Sequence, residues 1–106
     1  MQEITVLELK RKLDEQQPVV LVDVREPEER AVSHIGGYHI PLANLPSQIW
    51  DLEEYKEFEI VVYCRSGARS ANAVGYMLQM GFKKVYNLKG GMKAWKNEVD
   101  NSIEVA

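Results

Sequence analysis

A chain of 106 residues has room for one domain with a substantial core and none for a second, so residues 1–106 are expected to fold as a unit. Its 45% hydrophobic and 27% charged make-up is that of a soluble globular protein, and a net charge of −3 gives no reason to expect non-specific attraction to nucleic acid or membrane. The single cysteine excludes an intrachain disulfide and a multi-cysteine zinc site, and no uninterrupted apolar run approaches membrane-spanning length.

Met1-Gln2-Glu3 lacks a basic stretch followed by an apolar one, so no signal peptide is expected and the cytoplasm is the default location, where a lone reactive thiol is also at home. Ile4 and Thr5 suggest a short strand. Leu7, Leu9 and Leu13, with polar residues between them, suggest an amphipathic helix to about Glu15, broken by Gln16-Gln17-Pro18. Val19-Val20-Leu21-Val22 reads as a buried strand ending at Asp23-Val24-Arg25, and a continuous β-branched run suits a parallel sheet covered on both faces. Glu26-Pro27-Glu28-Glu29 starts a short helix, with proline in the first turn and carboxylates at the positive end. Gly36-Gly37 and Pro41 soon close it.

Leu45 to Glu54 forms a further helix candidate, and Ile60-Val61-Val62-Tyr63 is a second buried strand. A helix from Ala71 to Met80 ends at Gly81; Val85-Tyr86-Asn87-Leu88 is the last strand; Gly90-Gly91 turns into a final helix through Trp95. The polar tail from Glu98 to Ala106 is expected to be loose or lightly packed. Strands alternating with helices predict an α/β doubly wound parallel sheet. Trp95, Trp50, Met77 and Met80 read as core or groove wall.

Between the second buried strand and its helix lies Cys64-Arg65-Ser66-Gly67-Ala68-Arg69-Ser70. In open α/β sheets, ligands bind outside the carboxyl ends of the strands. A thiol placed there meets the N–H groups and dipole of a helix start. Gly67 between two small residues lets successive amides converge, and Arg65 and Arg69 add positive charge. All of these favour the thiolate, which is the nucleophile. A cysteine ending an apolar strand is commonly an inert small hydrophobe, but such a residue has no use for the cationic loop that follows.

Cys-Arg-Ser-Gly-Ala-Arg-Ser resembles the active-site loop of rhodanese-like sulfurtransferases, in which a strand-end cysteine carries sulfur as a persulfide. The likeness extends along the chain. Leu21-Val22-Asp23-Val24-Arg25-Glu26-Pro27, His34-Ile35-Gly36-Gly37 through Ile40-Pro41-Leu42, and Asn87-Leu88-Lys89-Gly90-Gly91 with Ala94-Trp95 are similar to further motifs of that family, in the same order. The rhodanese domains fused to some ubiquitin-like-activating adenylyltransferases are similar in detail, and those pass sulfur to a carrier protein's C-terminus. This sequence has no adenylylating half.

The resemblance implies a rhodanese-like five-stranded sheet flanked by helices, and a sulfurtransferase in which Cys64 takes sulfur from a small donor such as thiosulfate. Cyanide, a thiol or a sulfur-carrier protein would then accept it. No metal or other cofactor is expected. Residues 65–70 would hold the terminal sulfur with their amides. Arg69 would bind the dianionic donor; Arg65 would attract donor or protein at the rim, or stand solvated. Ser66 and Ser70 read as ties for the loop in preference to contacts with sulfur. Asp23 and Arg25 either orient the loop from a neighbouring strand end or form a local cap and ion pair, the second being preferred. His34 and His39 are weak candidates for a base, because an ionised thiol needs none. Two rivals remain: a cysteine-dependent phosphatase, disfavoured because only four residues separate Cys64 from Arg69 where phosphatase loops have five, and a non-catalytic rhodanese-like interaction module.

Overall fold

Side chains of a strand point alternately to opposite faces, and that alternation along one central strand organises the molecule. The computed structural model describes residues 2–106. The central strand β4 (Glu59–Tyr63) lies between β2 (Val19–Asp23) and β5 (Lys84–Leu88); β1 (Glu3–Ile4) and β3 (Tyr38–His39) form the edges. Every pairing in the order β1-β5-β4-β2-β3 is parallel. This is the five-stranded parallel sheet expected of the sequence.

Ile60, Val62 and Cys64 face one layer, where Leu45, Ile49, Leu52, Ala73, Val74 and Met77 cover them. Val61 and Tyr63 face the other layer, against Leu9, Leu88, Met92 and Trp95. Helix α1 (Val6–Asp14) and helix α5 (Gly91–Glu98) therefore cover one face, while α3 (Leu45–Gln48) and α4 (Ala68–Gln79) cover the other. Burial on both faces explains why β2 and β4 read as unbroken apolar runs. Trp95 is core, as expected, and so is Met77; Trp50 is not, being 63% exposed. It follows Ile49 and precedes Leu52, which take the inward positions of that turn.

Differences from the expected elements have local causes. Thr5 is not strand but the N-cap of α1, its hydroxyl accepting from Glu8 N while the Glu8 carboxylate accepts from Thr5 N. Helix α2 (Pro27–Val32) is as short as Gly36-Gly37 demanded. The expected helix from Leu45 to Glu54 is α-helical only to Gln48 and continues as a 3₁₀ helix over Ile49–Tyr55. Strand β3 was not foreseen: two residues carry no periodicity, and they are held by their register with Val22 and Asp23. The last segment is lightly packed, the second of the two expectations, and not loose. Ile103 and Val105 pack on the second core layer, Ser33 Oγ donates to Glu104 O, and Lys96 Nζ donates to Ile103 O. Two apolar residues alternating with polar ones are enough to seat this polar tail without burying it.

Candidate active site

The sheet delivers Cys64 at the carboxyl end of its central strand, and the chain then turns at Gly67, whose φ of 109° lies in the left-handed region. Glycine adopts that conformation without the steric cost borne by other residues. The turn lets α4 begin at Ala68, three residues before the Ala71 start expected from periodicity. Residues 68–70 thus form the first helical turn, whose N–H groups have no partner within the helix.

One of these amides, that of Ser70, and the amide of the N-cap Gly67 point at sulfur. Gly67 N–H donates to Cys64 Sγ at 3.1 Å and Ser70 N–H at 3.4 Å, while the Ser70 hydroxyl lies 3.2 Å away. Cys64 is only 1% exposed. Burial pushes its pKa up, but the hydroxyl of Ser70 and the amides of Ser70, Gly67 and Ser66 outweigh burial and bring it below the ordinary thiol value. The favourable contribution is led by hydrogen bonds and not by the arginines on which the sequence placed weight.

Ser70 does more than tie the loop. It is buried, its amide donates to sulfur, and its hydroxyl sits between Cys64 Sγ at 3.2 Å and Asn87 Oδ1 at 2.5 Å, with a single proton that it gives to one of them at a time. Asn87 Nδ2 in turn donates to Gly67 O at 3.1 Å, so one buried amide from β5 holds both ends of the cradle. From below, Met92 N donates to Cys64 O at 2.9 Å and Lys93 N to Arg65 O at 3.0 Å. The start of α5 thereby satisfies the carbonyls of the loop. Gly91 makes this approach possible: a Cβ there would sit 2.5 Å from Cys64 O. Asn87 and Gly91 stood in a quoted motif, but nothing in spacing alone revealed that they grip residues 64–67.

The remaining predicted residues divide. Arg65 and Ser66 are exposed, and Arg65 Nε donates to Ala106 O at 2.8 Å. Ala68 is exposed at the helix start. Arg69 makes two hydrogen bonds to one carboxylate, Nη1 to Glu29 Oε1 at 2.7 Å and Nη2 to Glu29 Oε2 at 2.8 Å. Glu29 Oε1 also accepts from Glu26 N at 3.0 Å. The Arg69 hydrogen bonds outweigh partial burial and lower the Glu29 carboxyl to about 2. Glu29 had been read only as a helix-start charge.

Asp23 and Arg25 are both fully buried and bond each other, Arg25 Nε and Nη2 reaching the two carboxylate oxygens at 2.9 Å. Asp23 Oδ1 also accepts from Arg25 N at 3.0 Å, and Arg30 Nη1 reaches Oδ2 at 3.2 Å. Arg25 Nη2 extends to Ser33 O, Arg30 Nη2 to Gly37 O, and Tyr63 Oη donates to Gly36 O. This network pins residues 33–37 to the sheet, and none of the Asp23 or Arg25 hydrogen bonds reaches residues 64–70. His34 Nδ1 accepts from Gly36 N, and His39 Nε2 bonds Arg25 O. Neither histidine has a hydrogen bond to the sulfur loop.

A parallel α/β sheet that ends its central strand in a cysteine, ringed by amides at the start of the next helix, defines a rhodanese-like domain. The chain belongs to that family: residues 5–98 match the Rhodanese-like domain. Among its relatives, "Sulfurtransferase" of Allochromatium vinosum is 38% identical over 94 residues, covering 88% of this chain and 86% of that protein. "Probable adenylyltransferase/sulfurtransferase MoeZ" of Mycobacterium tuberculosis is 34% identical over 97 residues; the match takes in 91% of this chain and 25% of that much longer protein. The crystal structure of a rhodanese-like domain protein from Staphylococcus aureus superposes with a TM-score of 0.81 at 37% identity, covering 100% of this chain and 99% of that one.

Proposed function

We propose that this chain is a sulfurtransferase that carries sulfane sulfur as a persulfide on Cys64. The observation that carries this reading is the convergence of the Gly67 amide, the Ser70 amide and the Ser70 hydroxyl on a single sulfur atom. In the first half-reaction the Cys64 thiolate attacks the outer sulfur of a donor. A new S–S bond forms, the donor's own bond to that sulfur breaks, and its electron pair leaves with the departing group. With thiosulfate the departing group is sulfite. In the second half-reaction a nucleophile (cyanide in an assay, a thiol or a protein in a cell) takes the outer sulfur and returns the thiolate. Two displacements through a covalent intermediate require ping-pong kinetics.

The cradle suits this cycle because its donors are preset. Amides fixed by a helix start and by Asn87 stabilise negative charge on sulfur without reorganising at each transfer. No base is needed if the thiol is already ionised, which agrees with the absence of any histidine bond to the loop among the described residues. A phosphoryl group would need a wider ring of amides than a loop of four residues between Cys64 and Arg69 supplies.

The test is intact-mass and peptide analysis after exposure to thiosulfate and, separately, to a low-molecular-weight persulfide. One added sulfur on Cys64, removed by cyanide and absent from Cys64→Ser, is the expected result. No gain from either donor would favour the interaction-module reading. Turnover of aryl phosphates abolished by Cys64→Ser would favour the phosphatase.

A further inference from the structure

A free guanidinium at the mouth of the cradle would suit a dianionic donor, but the guanidinium here is not free. Both terminal nitrogens of Arg69 are spent on Glu29, at 2.7 and 2.8 Å. The carboxylate is the more sheltered partner, with its side chain 17% exposed against 35% for Arg69. Glu29 is also anchored from its own side, where it closes the cap of α2 by accepting from Glu26 N. Arg69 therefore cannot carry Glu29 with it toward a ligand, and leaving Glu29 behind would strand a half-buried carboxylate. The other arginine of the loop, Arg65, is turned away through Nε to Ala106 O. Glu26 and Glu28 add further negative charge at the same helix start.

From this geometry we infer that Glu29 sets the donor class of the site, favouring thiol persulfides over inorganic thiosulfate. The inference rests on the persulfide reading of Cys64. Thiolate and thiosulfate bring three negative charges together, with the loop's best counter-charge already neutralised. Thiolate and a thiol persulfide bring two when the persulfide is ionised, as most of it is near neutral pH, and one in the protonated form that reacts. In the favoured step the Cys64 thiolate attacks the outer sulfur of R–S–SH. The Cys64 Sγ–S bond forms, the R–S–S bond breaks, the electron pair departs on R–S⁻, and the proton stays on the transferred sulfur. No external oxidant or reductant enters. Specificity arises here from a carboxylate that disfavours the dianionic donor more than the less charged one.

Full-length protein would be assayed with cysteine persulfide and with thiosulfate as donors, under single-turnover conditions, following sulfur on Cys64 by mass. The expected wild-type result is loading from the persulfide at least about tenfold more efficient than from thiosulfate, the scale of one short-range charge interaction in a partly solvated site. Glu29→Gln keeps the size of the side chain and an oxygen for the α2 cap but removes the charge. It should narrow the gap between donors by about tenfold, through a lower KM for thiosulfate. A wild-type protein that loads from thiosulfate as well as from persulfide overturns the assignment to Glu29, and this holds even if the variant does not fold. So does a folded Glu29→Gln protein with an unchanged ratio. Absence of sulfur on Cys64 with both donors is a different result: it overturns the persulfide reading itself.

Discussion

Gly91→Ala should damage the site from beneath. An added Cβ would lie 2.5 Å from Cys64 O and 2.7 Å from Arg65 O, and the residue's φ is +56°. The left-handed conformation alone costs an alanine about 1 kcal/mol. Both obstructing atoms are backbone, so no rotamer change relieves the clash. The start of α5 must lift, stretching the bonds from Met92 N to Cys64 O and from Lys93 N to Arg65 O. Each is worth about 1 kcal/mol, and more if its carbonyl stays buried without a partner. The expected loss is about 3–5 kcal/mol, a large share of the ~5–15 kcal/mol typical of a small domain. Two glycines serve as comparators. Gly36 also has positive φ but nothing within 4 Å of an added Cβ, so Gly36→Ala should cost about 1 kcal/mol. Gly75 lies inside α4 with open space, and Gly75→Ala should stabilise by up to ~1 kcal/mol. Urea unfolding midpoints rank the three, and the alkylation rate of Cys64 in the folded protein reports whether the cradle has lost its aim. A Gly91→Ala protein within about 1 kcal/mol of Gly36→Ala would refute the reasoning.

Ser70→Ala removes the hydroxyl that contributes most to ionising Cys64 but keeps the amide, so the thiolate titration followed by ultraviolet absorbance should move upward; an unmoved curve would put the effect in the amides alone. Asp23→Ala leaves the guanidinium of Arg25 buried without its counter-charge and should cost about 3–5 kcal/mol by urea unfolding, whereas a loss under about 1 kcal/mol would show that the network carries little. The Glu29 carboxyl falls from 4.5 to about 2 on folding, so its pairing stabilises the fold above pH 4.5 and the contribution disappears as pH drops from there toward 2. With Arg69 35% exposed, screening limits this to about 1–2 kcal/mol. Unfolding at pH 6 and pH 3 should show a loss of stability in wild type that is smaller by this amount in Glu29→Gln, the remainder coming from Asp23, Glu8 and Asp100, whose carboxyls are also lowered.

Much of the fold was legible because the responsible signals are local. Apolar runs at Val19–Val22 and Ile60–Tyr63 announce strands buried on both faces, and the carboxylates after Glu26 announce a helix start. The candidate site was legible for the same reason: one cysteine, one strand end and one glycine lie within four residues. What the sequence concealed depends on contacts between distant segments. Glu29 lies 40 positions from Arg69, and Asn87 lies 17 from Ser70, so no spacing rule links them. Helix α4 starts earlier than its apolar period because an αL glycine, and not a hydrophobic residue, sets its first turn. Trp50 misled because a large aromatic is expected inside, although its neighbours Ile49 and Leu52 claim the core.

The carbonyl of Cys64 is held by α5, the carbonyl of Gly67 by Asn87, and the chain before them by the pairing of β2 with β4. A seat bolted down at so many points has little freedom to register whether it is occupied. If Cys64 carries sulfur as proposed, empty and loaded forms should be nearly the same shape. A protein accepting that sulfur would then meet the same docking face in both, and distinguish them only through the one extra atom on Cys64.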